Sequence, residues 1–474
     1  MSQLPLSIGR IHFTGIGGIG MSGIAEILND MGYDVSGSDL TENPNVQRLR
    51  DKGITIHIGQ VAENIEGVSI VVISTAIKQD NPEVLEARRR FLPIVHRAEM
   101  LGELMRLRWS VAIAGTHGKT TTTSLVATLL DAGGIDPTVI NGGIITGWGS
   151  NARLGASDWM VVEADESDGS FSRLKPTVAV VTNIDPEHLD HHGNFENLKA
   201  AFRNFVASIP FYGFATLCID HPVVQRMMPE ISERRIITYG LSTSADVRAL
   251  NLTAGDDGMT FDVQLSRRMD SDERDLQNIT FPMLGEHNVL NCLAAISVAL
   301  EMGVSLEDIR IGLKKFKGVG RRFDFKGNAG GIMVIDDYGH HPVEITAALN
   351  AARMLKPENQ VIAVVQPHRY SRLRDLFEDF CSCFNDADHV LVADVFAAGE
   401  DHIEGADRDA LVRGLQAFGH PSPIAMQSPS TLAQQVTDIA KPGDVVICLG
   451  AGSSTKWAAD LPKELAQLLE GDDA

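Results

Sequence analysis

The sequence predicts an α/β chain of three successive segments, and three observations predict it. Short β-branched runs alternate with stretches of helical period along the whole length. Two glycine-bounded turns, Gly15-Ile16-Gly17-Gly18-Ile19-Gly20 and Gly115-Thr116-His117-Gly118, each follow an apolar run and open a helix. The length, 474 residues with 44% hydrophobic content, suffices for about three cores.

In the first segment, residues 1–108, a strand is expected at Ile11-His12-Phe13. A helix carrying Met21, Ile24, Ala25, Leu28 and Met31 follows, then a strand at Tyr33-Asp34-Val35. Further strands are expected at Val68 to Ile73 and near Pro93-Ile94-Val95, giving a parallel, Rossmann-like sheet. Asp39 stands nineteen positions after Gly20, the spacing of a dinucleotide-type fingerprint. In that reading Gly17, Gly18 and Gly20 let a diphosphate approach a helix N-terminus, and Asp39 is the ribose-reading acid. The diphosphate is that of NAD or of a UDP-sugar; the plain alternative is a tight turn whose glycines serve only packing.

In the second segment, residues 109–317, an apolar strand runs into Gly115-Thr116-His117-Gly118-Lys119-Thr120-Thr121. This is a shortened phosphate loop, because Ile113 stands where the usual spacing has glycine. Its backbone N–H groups face an anion, Lys119 reaches the outer phosphates and the Thr120 hydroxyl is a Mg²⁺ ligand, so ATP is the first candidate. Lys119 is the loop's only cation, and its loss is expected to stop turnover without disturbing a core. The following helix passes Ser124 to Leu130 and stops near Gly133-Gly134.

The strand Trp159 to Glu163 brings the first carboxylate of Glu163-Ala164-Asp165-Glu166-Ser167-Asp168 to the same sheet edge. There Glu163 suits Mg²⁺, against the alternative of a solvated acidic loop. A strand at Val178 to Asn183 precedes His188, His191 and His192, which no cysteine or distant histidine pair completes into a zinc site, so magnesium is the better companion. The turn Ala254 to Gly258 leads into an antiparallel hairpin with Met259, Phe261, Val263 and Leu265 on its dry face. A helix from Asn288 through Leu300 opens with His287, Asn288 and Asn291, whose amides read a base edge or, more simply, cap the helix.

Gly318-Val319-Gly320-Arg321-Arg322 reads as a hinge into the third segment, residues 318–474, with strands expected at Ile332 to Ile335, Val361 to Val365, His389 to Ala393 and Asp444 to Leu449. Asp337-Tyr338-Gly339-His340-His341-Pro342 and Gln366-Pro367-His368-Arg369-Tyr370-Ser371-Arg372 both follow strands. Arginines at such loops suit carboxylate or phosphate recognition. The acidic tail, Glu470 to Asp473, is expected to fray.

The balance of 41 basic against 62 acidic residues, a formal charge of −21, argues against nucleic-acid binding. Five scattered cysteines argue for a reducing compartment, with Cys381 and Cys383 a helix or core pair. No apolar run approaches membrane-spanning length, which makes the cytoplasm the default.

Taken in this order, the motifs resemble the Mur ligase superfamily, ATP-dependent amide-forming enzymes of bacterial peptidoglycan synthesis. Gly15 to Glu26, Glu163 to Phe171 and Asp337 to Pro342 have the forms of its alanine-adding branch. The resemblance implies three domains: a Rossmann-like one holding a UDP-sugar, a central P-loop ATPase-like mixed sheet holding ATP, and a Rossmann-like C-terminal one bringing the amino acid. It implies UDP-N-acetylmuramate and L-alanine as substrates, Mg²⁺ with ATP, and a monomer or homodimer. By similarity, Gly118, Lys119, Thr120 and Thr121 hold phosphates and Thr120, Glu163 and His188 serve magnesium. Asn291 with His287 or Asn288 meets adenine. The resemblance likewise places Arg322, Asp337, Tyr338, His341, His368, Arg369 and Arg372 around the domain interface, Arg322 and Asp337 toward the nucleotide and the others toward substrate, with Lys119, His188 and Arg372 the catalytic candidates. Sister ligases carry a carbamylated lysine in the region of Lys199; the alanine-adding branch lacks it, and it is not assigned.

Three rivals compete. An NAD-dependent oxidoreductase would use the Gly15 turn and Asp39 but leaves Lys119 and Glu163 without work. A non-catalytic nucleotide sensor would not need metal ligands and arginines together. A folylpolyglutamate synthase shares the central loop but lacks the first α/β segment.

Overall fold

The computed structural model describes residues 8–167, 169–231, 233–255, 257–269 and 274–471. Asp168, Asp256 of the expected turn and the end of the acidic tail lie outside the described residues. The chain has the α/β architecture expected, with three sheets, and divides into two compact units. One comprises 1–251, 261–280 and 290–317; the other comprises 252–260, 281–289 and 318–474.

The first unit holds two sheets. In the first, five strands run parallel in the order Thr55–Ile58, Val35–Asp39, Arg10–Thr14, Val68–Ile73, Ile94–His96. The central strand, Arg10–Thr14, is flanked by one strand of each wing, so the turn at its C-terminal end sits at the switch point where open α/β sheets bind ligands. The second strand runs Val35–Asp39, later than expected, because Gly32 at φ +90° and Tyr33 still belong to the helix exit. Gly37 has no side chain because Ile16, folding back from the glycine turn, fills the place of its Cβ.

The second sheet of this unit has ten strands. At its middle Trp109–Ala114 lies between Val178–Val181 and Trp159–Glu163, all parallel and apolar, as burial on both faces requires. Thr138–Ile145 and Ser150–Arg153 form an antiparallel hairpin at one edge. Gly258–Leu265 buries Met259, Phe261, Val263 and Leu265, the period-two face expected of it. Ile11, Phe13, Ile24 and Leu28 share one continuous core with Ile140, Ala152 and Val162, so the two sheets of this unit are joined through the helix Ile19–Asp30.

The second unit holds a six-stranded sheet in the order Asp324–Ala329, Ile332–Asp337, Val445–Leu449, Val361–Val365, His389–Val392, Pro423–Ala425. Its first pair is antiparallel and the rest are parallel. Separate apolar clusters cover its two faces. Cys381 and Cys383 are buried in one of them, and all five cysteines are free thiols in buried positions.

Candidate active site

The phosphate loop is built by strand, turn and helix in direct succession: Trp109–Ala114, then Gly115 to Gly118, then the helix Lys119–Ala132. Gly115 (φ +143°) and Gly118 (φ +81°) take conformations that other residues avoid, and a side chain on either would collide, with Thr182 and Asn291 respectively. The loop is clamped from the neighbouring strand end. Thr182 Oγ1 and Asn183 Nδ2 donate to the His117 carbonyl at 2.6 and 3.0 Å, and Asn183 Oδ1 accepts from His117 N at 2.7 Å. Thr122 donates to Asn291 Oδ1 at 3.1 Å, placing Asn291 against the loop's back.

Lys119 Nζ donates to Gly115 O (2.6 Å), Thr116 O (3.0 Å) and Glu166 Oε1 (2.8 Å). Burial works against its charge, yet the carboxylates of Glu166, Glu163 and Asp165 hold it protonated and raise its pKa. Burial likewise holds the Glu166 carboxyl above its usual range, Lys119 pulling the other way. Glu166 is 1% exposed, and its Oε2 has no hydrogen-bond partner among the described residues. The expectation that Lys119 can be removed without disturbing the interior is therefore corrected: it neutralises a buried carboxylate.

Pairing of Ile113 with Glu163 across parallel strands sets that carboxylate beside the root of the phosphate loop, where Gly142 N donates to it at 2.8 Å. His188 has a left-handed backbone (φ +56°) and begins a short turn in which His192 reaches the Glu166 carbonyl at 2.9 Å. Asp165 is held by Arg97 at 3.0 Å. Thr120 and Thr121 are buried in the first helical turn.

At the switch point of the first sheet the three glycines do different things. A Cβ on Gly17 would strike Asn43, Val46 and Asp39, so this glycine serves packing. A Cβ on Gly18 meets nothing nearer than Gly15 O at 3.4 Å, which leaves that position open to a ligand. A Cβ on Gly20 would stand 3.1 Å from the Arg97 side chain. Asp39 Oδ2 accepts from Gly17 N at 2.8 Å, so the expected ribose acid also fastens the turn.

In the second unit the loops after Asp337, Val365 and Leu449 meet at the C-terminal edge of the sheet. Asp337 accepts from Phe323 N and Gly339 N, each at 2.7 Å, and burial pushes its pKa up to about 6 although Arg322 opposes. Arg321 and Arg322 lie over the Tyr338 ring at 4.7 and 5.0 Å. Tyr338, His340, His368 and Phe396 form a chain of ring contacts, His368 and Phe396 stacked at 5.4 Å. Burial, His340 and the nearby arginines push His368 down to about 4, and it accepts from Arg372 at 3.3 Å. Arg369 has φ +72°. His341 accepts from Val343 N at 3.3 Å in a capping box with Glu344. Half-buried His287 is pushed down to about 4 by burial and Arg322. The helix runs Glu286–Glu301, so Asn288 lies in its first turn, and its amide donates to Leu284 O at 2.8 Å.

Sequence reasoning passed over Glu166 as Lys119's partner, Arg97, Phe396 and Glu400. Glu400 fixes the arginine loop by accepting from Ser371 N and Oγ at 3.0 and 2.6 Å. For Glu166 the only signal was its place in the acidic run three residues past Glu163. For Arg97 and Glu400 none did, since their partners are set by tertiary contact alone.

Known proteins agree with this architecture. Residues 10–109, 113–299 and 321–452 match the family models described as Mur ligase family, catalytic domain; Mur ligase middle domain; and Mur ligase, glutamate ligase domain. The chain is 62% identical to the UDP-N-acetylmuramate–L-alanine ligase of Acidiphilium cryptum over 99% of its length and 98% of that protein's. It is 61% identical to that of Rhodospirillum rubrum, over 98% and 96%. The crystal structure of the UDP-N-acetylmuramate–alanine ligase of Thermotoga maritima superposes with a TM-score of 0.81 at 26% identity, covering 98% of this chain and all of that one. These likenesses leave the oxidoreductase reading without support. The chain belongs to the Mur ligase family.

Proposed function

We propose that the protein joins L-alanine to the lactyl carboxylate of UDP-N-acetylmuramate at the expense of ATP, in peptidoglycan precursor synthesis. A carboxylate resists attack because of its charge and resonance. Transfer of the γ-phosphoryl group of ATP onto its oxygen gives an acyl phosphate and ADP. The alanine amine then adds to the carbonyl, phosphate departs with the C–O bond electrons, and the amine loses a proton.

The observation that carries the reading is the Lys119 ammonium held on the Gly115 and Thr116 carbonyls of a turn whose glycines admit no side chain, beside carboxylates at the same sheet edge. Lys119 would bind the outer phosphates, the Gly115–Thr121 backbone would orient them, and Asn291 with His287 or Asn288 would serve adenine. The oxygen donors Thr120 and Glu163 suit Mg²⁺, a hard cation bound by one or two carboxylates together with phosphate oxygens, and His188 would serve the magnesium site beside them. Magnesium there would supply charge neutralisation on the transferring phosphoryl group. The Gly15–Gly20 turn, open at Gly18, would take the UDP diphosphate. Arg322 and Asp337 would serve the nucleotide, and Tyr338, His341, His368, Arg369 and Arg372 would serve the substrates and the acyl phosphate, Arg372 by its charge. Domain limits of 1–108, 109–317 and 318–474 belong to this reading, as does a cytoplasmic monomer or homodimer. Among the described residues no helix is long and apolar enough to cross a membrane.

The test is phosphate release with ATP and UDP-N-acetylmuramate, scanned over twenty amino acids. Release that needs the UDP-sugar and is greatest with L-alanine is expected. Tight NADH binding with no UDP-sugar binding would overturn the assignment.

A further inference from the structure

Within the first unit an unbroken run of buried polar groups joins the glycine turn of the first sheet to the phosphate loop of the second. Asn151, on the hairpin strand Ser150–Arg153, is fully buried. Its Nδ2 donates to Ile19 O at 2.7 Å, the carbonyl at the start of the helix behind the glycine turn, and to Asn141 O at 3.4 Å. Its Oδ1 accepts from Arg48 at 2.6 Å. Asn141, 1% exposed, donates to Ser124 Oγ at 2.8 Å, and Ser124 donates to Thr120 O at 2.8 Å, in the first turn of the phosphate-loop helix. The next amide, Gly142 N, holds Glu163. Gly23 lets the first helix in close: a Cβ there would stand 3.0 Å from Asn151 and 3.4 Å from Ala152.

Asparagine and serine are poor choices for stabilising such a seam. Each buried amide gives up water for protein partners at a small net gain, and apolar groups of similar volume would do as well. What they add is a single register. Apolar surfaces tolerate small sliding, whereas a chain of directed hydrogen bonds is complete in one arrangement only. The ends of this chain are the two loops to which the function assigns its two nucleotides.

We propose that Asn151, Asn141 and Ser124 are positioning residues that fix the glycine turn against the phosphate loop, so that a carboxylate held by one meets the phosphoryl group held by the other. The inference rests on the two-nucleotide reading above. Phosphoryl transfer is steep in distance, and a misplacement of about 1 Å costs on the order of a hundredfold in rate.

The experiment compares Asn151→Ala and Ser124→Ala with the wild type. Dissociation constants are measured for UDP-N-acetylmuramate alone and for a non-hydrolysable ATP analogue alone. ADP formation is then followed in a single turnover at saturating substrates, with the acyl phosphate trapped by hydroxylamine. Both dissociation constants should stay within about threefold while the transfer rate falls about tenfold or more in Asn151→Ala and about threefold or more in Ser124→Ala. A lower melting temperature with an unchanged transfer rate in the folded, saturated variants makes the chain merely structural and overturns the proposal. A rate loss explained wholly by weaker binding overturns it too. If Asn151→Ala does not fold, Ser124→Ala, which removes one oxygen from a helix, decides by the same criteria. Wild-type protein that binds neither ligand would instead bring down the functional reading, and this inference with it.

Discussion

Lys119 spends its three ammonium donors on two loop carbonyls and Glu166, which makes it both the cation of the phosphate loop and the counter-charge of a buried carboxylate. Lys119→Ala should lower turnover by at least about a hundredfold, the scale on which a lost charge-stabilising donor acts. It should also destabilise the fold by roughly 1–3 kcal/mol, because Glu166 is left buried without its partner. Adding Glu166→Gln to that variant should return much of the stability and none of the activity. Melting curves and steady-state rates of the single and double variants check this; a double variant as unstable as the single one would mean that Lys119 does not stabilise through Glu166.

Elements show their logic at the two glycine turns, where one sequence signature hides two jobs. Gly17→Ala should cost roughly 1–3 kcal/mol, since its Cβ meets Asn43, Val46 and Asp39. Gly18→Val has room within the protein itself and should raise the KM for UDP-N-acetylmuramate about tenfold or more, about 1.4 kcal/mol, with the KM for ATP nearly constant. Equal effects on both KM values would refute the separation of the two sites. At the central sheet, Glu163→Ala and His188→Ala should each raise the Mg²⁺ concentration needed for half-maximal rate. If neither curve moves, the metal is held elsewhere.

At the scale of the whole molecule, two histidines make stability depend on acid. His287 and His368, both in the second unit, have pKa values near 4 in the fold, below the usual 6.5 of the unfolded chain. Between these values the unfolded chain binds protons that the native state refuses, so their contribution to stability is lost as pH falls from about 6.5 to about 4. Asp337, raised to about 6, binds protons in the native state over part of the same window and partly offsets the loss. The comparison that isolates the histidine is His287→Gln against wild type. The variant should lose less stability than wild type between pH 7 and pH 4.5, by on the order of 2 kcal/mol after allowance for the half-buried ring. Urea unfolding at the two pH values measures the difference, and parallel losses would show that His287 is not held neutral.

What the sequence determined by itself was the set of short-range devices. The strand-to-helix glycine turns, Lys119 with Thr120, and Glu163 at the end of an apolar strand are legible because each motif lies within a few residues of the element that presents it. Strand periodicity and the C-terminal ends of parallel strands then place those motifs on sheet edges without further information. The tertiary structure alone decided which glycine packs and which stays open, and that Lys119 answers a buried Glu166. It also decided the Asn151–Asn141–Ser124 chain and the Glu400 brace on Ser371. Such hydrogen-bonded pairings join residues 10 to 47 positions apart at about 3 Å, and a local pattern carries no record of which distant group will arrive at that distance.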